Sequence, residues 1–118
     1  MDIELKRAYE SPHSQDGYRV LVDGIWPRGV SKEEAKIDEW RKEVAPSSDL
    51  RKAFHNGSLG WGDFRQRYLK ELTDCRESLR DLAQRAKKEK VTLVFASKED
   101  RHNNAEVEVL RQYLRMLK

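Results

Sequence analysis

At 118 residues the chain fits one domain, residues 1–118, long enough to bury a core without disulfide or metal staples. Its charged residues make up 38%, but 24 Lys and Arg stand against 21 Asp and Glu, so the net charge of +3 argues against disorder. A pI near 9.0 permits contact with anions without requiring nucleic acid.

Cys75 is the only cysteine, which rules out an internal disulfide and a cysteine-based metal cluster. The segment from Met1 to Glu4 has no signal-peptide core, and no apolar run approaches membrane-spanning length, so the expected location is cytoplasmic, away from any membrane.

Ile3-Glu4-Leu5-Lys6 alternates apolar and polar, as a half-exposed strand does. Residues 11–17, rich in serine with Pro12, Asp16 and Gly17, read as a surface loop. Tyr18-Arg19-Val20-Leu21-Val22 then predicts a buried strand that ends at Asp23. Ser31 with Glu34 is a capping-box pattern and predicts a short helix. Lys42–Val44 is the place for a third strand. Pro46-Ser47-Ser48-Asp49 starts a helix carrying Leu50, Ala53 and Phe54, and residues 55–60 break it.

Trp61, Phe64, Tyr68 and Leu72 share one helical face, and Leu79, Leu82, Ala83 and Ala86 share another. Val91-Thr92-Leu93-Val94-Phe95-Ala96 is the clearest strand. Asn103 with Glu106 signals a helix start before Val107, Leu110, Leu114 and Leu117. The order predicts an α/β domain: a small, mainly parallel sheet of three to four strands covered by helices. A helices-only reading, with a helix-turn-helix over residues 61–89, has to ignore two strand-like runs.

In open α/β sheets ligands bind beyond the carboxyl ends of the strands. Residues 23–29 follow one buried strand and residues 97–104 the other, so parallel neighbours would bring both loops to one edge. Asp23 and His102 are the candidate proton-handling residues, His102 because its charge changes near neutral pH. Trp26, Arg28, Ser97, Lys98 and Asn103 are the candidate ligand-binding residues. Each has a plainer use. Asp23 can bond amides at the strand end, Trp26 can pack in the core, Lys98 can be a solvated charge, His102 can bond local backbone, and Asn103 can cap the helix. His13, His55 and His102 lack metal-ligand spacing, and no Gly-rich phosphate loop occurs.

The run Arg19-Val20-Leu21-Val22-Asp23-Gly24-Ile25-Trp26-Pro27-Arg28-Gly29-Val30-Ser31-Lys32 resembles the YeaO-like family, small prokaryotic proteins grouped as a domain of unknown function. The likeness continues at residues 45–54, 64–68, 91–98 and 102–105, nearly the whole chain in order. It implies a compact α/β domain and no established activity. Gly24 stands where that family usually has arginine, so an anion-binding role falls to Arg28.

Three functions fit these observations. The first is a site for a small polar or anionic ligand, with catalysis left open. The second is a nucleic-acid-associated module, suggested by Arg65 and Arg67 beside Tyr68 and by the lysines of residues 87–90. The third is a structural or interaction domain without chemistry. Cofactor and oligomeric state are left open.

Overall fold

The computed structural model describes residues 1–96 and 101–117, with the backbone alone for 101–104. Four strands form it, β1 (Ile3–Arg7), β2 (Tyr18–Leu21), β3 (Glu39–Trp40) and β4 (Val91–Phe95). Five α-helices accompany them: α1 (Lys32–Ala35), α2 (Ser48–His55), α3 (Trp61–Asp74), α4 (Arg76–Lys88) and α5 (Arg101–Met116). The strands are all parallel, in the order β1-β4-β2-β3. No described helix is long and apolar enough to cross a membrane.

β4 lies between β1 and β2, and all five of its residues are buried. That is why its sequence is continuously apolar apart from Thr92, whose hydroxyl donates to the Asp16 carbonyl at 2.6 Å. β1 is an edge strand and alternates accordingly.

The two faces of the sheet are covered differently. One face presents Ile3, Val20, Val22, Val91, Leu93 and Phe95 to the long helices, which answer with Phe64, Tyr68, Leu72, Leu79, Leu82, Leu110 and Leu114. The other face carries Leu21 and Val94 under Ala8, Trp26, Ile37 and Trp40, which the loops around β2 supply. Beside them is a buried polar layer. The Arg19 guanidinium donates to Asp16 at 2.6 Å and to the Ala35 carbonyl at 2.8 Å, tying α1 to the sheet.

The third strand is not at Lys42–Val44, which forms a 3-10 turn, but three residues earlier. β2 ends at Leu21, and the Arg41 amide already takes the Leu21 carbonyl at 2.9 Å, so no strand edge remains for residues 42–44. The side chain of Arg41 turns instead to the Ser78 carbonyl at 2.6 Å and to Glu39 at 2.6 Å. α5 begins at Arg101, which puts Asn103 inside the first turn and not at the cap. α3 and α4 abut at Cys75 and bury their apolar faces, which leaves no helix-turn-helix.

Candidate functional site

β2 and β4 are adjacent and parallel, so the chain leaves both at the same edge. Asp23 fastens the two exits together. Its carboxylate accepts the Ala96 amide at 2.5 Å, and its carbonyl accepts the Trp40 indole N–H at 2.7 Å. The two strand exits lie side by side as far as Ala96, and the expected meeting with residues 97–104 falls beyond that point. Ser97 and Lys98 lie outside the described residues, and of His102 and Asn103 only the helical backbone is described.

Residues 23–29 do not act as one surface. Gly24 and Ile25 line a hollow against α2, with Ile25 72% exposed at its lip. Trp26 goes the other way, onto the loop-covered face. Its indole donates to the Val30 carbonyl at 2.6 Å and meets Trp40 edge-on at 5.5 Å. Pro27 is buried, and Gly29 turns the chain with φ of +76°. Arg28 is exposed and makes no hydrogen bond or ion pair among the described residues. Asp23, Trp26 and Arg28 therefore do not converge on one point.

What Asp23 does converge with was not singled out in the sequence. α2 buries Leu50 and Phe54, and the adjoining stripe carries Ser48, Arg51 and His55 at three- and four-residue spacing. Arg51 borders two neighbouring hollows. One, of about 420 Å³, lies between Gly24, Pro46, Ser47, Ser48 and Glu71, above Tyr68. The other, of about 310 Å³, lies between Ile25, Ser48, Lys52 and His55. The Arg51 Nε is buried and has no hydrogen-bond partner among the described residues. Glu106, from α5, is buried, with its Oε1 3.1 Å from the His55 Nε2.

The electrostatics link these groups. Burial pushes the Asp23 carboxyl above its ordinary value, against the pull of the Ala96 amide and of Arg51. Burial also pushes Glu106 up, against His55 and Arg51, while the negative charge of Asp23 adds to the rise. Arg51 is thus the cation that both carboxylates sense. Tyr68, fully buried below, donates to the Val44 carbonyl at 2.6 Å, and burial followed by nearby negative charges keeps its phenol neutral.

The signal available for this cluster was the polar stripe of α2. Glu106 was hidden because its spacing from Asn103 also fits a capping pair, whereas its carboxylate actually faces His55. Tyr68 offers no stacking surface to a base, and Arg65 donates to Gln112 at 3.1 Å. The Cys75 thiol lies against the Glu43 carbonyl and is pushed up by burial, the reverse of an activated nucleophile. Among the described residues no three His, Cys, Asp or Glu side chains group as metal ligands.

Residues 2–117 match the model of the family described as the inactive DUF488-N3 subclade. The chain is 44% identical over 117 residues to the uncharacterized protein YeaO of Escherichia coli (strain K12), covering 99% of this chain and all of that one. It is 36% identical over 105 residues to an uncharacterized protein of Mycobacterium tuberculosis (strain H37Rv), covering 89% and 88%. An uncharacterized protein of Mycobacterium bovis shows the same identity and coverage. No solved structure matches the chain.

Proposed function

The chain belongs to the YeaO-like domain of unknown function, the inactive DUF488-N3 subclade, and from that premise we propose that it binds a small polar or anionic molecule rather than transforming one. The observation that carries this reading is Arg51. Arg51 lines both hollows at the carboxyl edge of the sheet and is the cation whose charge both Asp23 and Glu106 feel.

Ser48, Lys52 and His55 flank Arg51 with further donors, and exposed Ile25 gives the ligand an apolar contact. A guanidinium suits a carboxylate or phosphate because its donors form a planar fork. Asp23 and Glu106 lie close enough for the positive charge of Arg51 to favour the ionised form of each. In this reading Arg28 adds outer positive charge, while Ser97, Lys98 and the side chains of His102 and Asn103 lie outside the described residues. The word inactive in the family description favours binding over turnover, and a cytoplasmic location goes with such a role.

The test is thermal unfolding with inorganic phosphate, citrate, AMP and ATP at matched ionic strength. A specific ligand at 100 times its Kd stabilises by about 2.7 kcal/mol, a readily measured rise in Tm. The expected result is such a rise for at least one probe, abolished in Arg51→Gln while the far-UV spectrum is kept. No rise with any probe, or a rise that survives in Arg51→Gln, overturns the reading.

A further inference from the structure

The outer edge of β1 has a symmetry that the carboxyl-edge site does not use. We infer that this edge pairs with a second copy of the chain, the two β1 strands running antiparallel about a two-fold axis at Leu5, which joins two sheets into one.

The backbone leaves the centre of that edge open. The Val91 amide donates to the Asp2 carbonyl, and the Ala8 amide donates to the Phe95 carbonyl. Even-numbered residues of β1 therefore turn their N–H and C=O groups toward β4, and odd-numbered ones turn theirs outward. Of the outward carbonyls, Ile3 is covered by the Arg111 guanidinium at 3.5 Å and Arg7 by the Glu10 amide at 3.1 Å. Leu5, between them, is covered by nothing among the described residues. An antiparallel pair centred on Leu5 forms its two hydrogen bonds from each Leu5 amide to the other Leu5 carbonyl.

The side chains fit the same register, in which paired residue numbers add to ten. Glu4 of one copy falls opposite Lys6 of the other, twice by symmetry, and opposite charges across a strand pair are favourable. Lys6 already bonds both carboxylate oxygens of Asp16, at 3.2 and 3.1 Å, but an ammonium has three donors and the third can serve Glu4. Glu4 is half exposed beside Lys90 and can face both cations. Met1 and Tyr9, 45% and 42% exposed, bracket β1. The two-fold axis brings Met1 of one copy toward Tyr9 of the other and covers both. The opposite edge, β3, has only two residues and offers no comparable ladder.

Sedimentation equilibrium over a concentration series tests this. The wild-type chain is expected to dimerise reversibly. Glu4→Lys sets like charges against each other at two places and is expected to weaken the dimer about tenfold or more. In a Cys75→Ser background, Leu5→Cys should form an intermolecular disulfide on mild oxidation. Residues paired on such an axis have Cα atoms roughly 5.5 Å apart, within disulfide reach. Arg67→Cys, exposed on α3, should not crosslink at that rate. A chain that stays monomeric throughout, a dimer unaffected by Glu4→Lys, or equal crosslinking at both cysteines overturns the inference. If Leu5→Cys fails to fold, the wild-type and Glu4→Lys sedimentation data decide it.

Discussion

Asp23 accepts the Ala96 amide at 2.5 Å, yet burial outweighs that bond and holds its carboxyl above the ordinary value. The folded chain therefore grips this proton more tightly than the unfolded chain does. Its stabilising contribution is full below the unfolded carboxyl value, near 3.9, and is lost as pH rises through the higher folded value. Glu106 shifts in the same direction, and the two repel when both are charged. Asp23→Asn keeps an oxygen for the Ala96 amide and removes the buried charge. We predict that this variant equals or exceeds the wild type at neutral pH by on the order of 1 kcal/mol, with the gap closing below about pH 4. Urea unfolding across pH measures it. A variant clearly weaker than the wild type at pH 7 would mean that attraction to Arg51 outweighs burial. Carboxylates kept at a cost in stability are typical of sites retained for binding, where stability yields to function.

Among the elements, the turn into β2 depends on one residue. Gly17 has φ of +69°, and a Cβ there would press into the Lys90 carbonyl oxygen. That carbonyl accepts the Tyr18 amide at 2.9 Å, so it cannot retreat without breaking the start of the β2–β4 ladder. Gly17→Ala should cost about 2–3 kcal/mol, read as a lower urea midpoint, because strain and clash act together. A loss under about 0.5 kcal/mol, the size of an ordinary surface change, would refute this. Gly17 was legible in sequence as turn chemistry, but its clash with residue 90 was not, because that contact spans more than seventy positions. The same division holds elsewhere. β1 follows from alternation, β2 and β4 from continuous apolar runs, and the five helices from three- to four-residue spacing and from the caps at Ser31 and Ser47. β3 was displaced because its position is set by Arg41 reaching α4, which no local pattern records. At the site, the parallel pairing of β2 with β4 sets Asp23 beside Ala96, one residue short of the predicted second segment. Arg51, His55 and Glu106 escaped because their meeting depends on how α2 and α5 are packed, and their local pattern reads equally as a solvated stripe and a cap.

For the whole molecule, the strand order β1-β4-β2-β3 makes the last strand in sequence the one that joins the sheet. β1 and β2 do not pair with each other; both pair with β4, Ile3 with Val91 and Tyr18 with the same Val91. Closing these pairs costs loop entropy over most of the chain before any ladder forms. The first ninety residues therefore hold β1 without a partner and β2 paired only with the two-residue β3, and α3 and α4 lack the Val91, Leu93 and Phe95 surface on which they pack. We predict that a fragment ending at Lys90 does not fold cooperatively. It should show residual helical ellipticity, poor dispersion of amide proton resonances and no sigmoidal urea transition. Adding a separate peptide of residues 91–118 should restore a cooperative transition if the missing strand is the cause. A fragment of residues 1–90 that unfolds cooperatively on its own would show that β2, β3 and the first four helices form an independent core, and that β4 is an addition to the sheet rather than its centre.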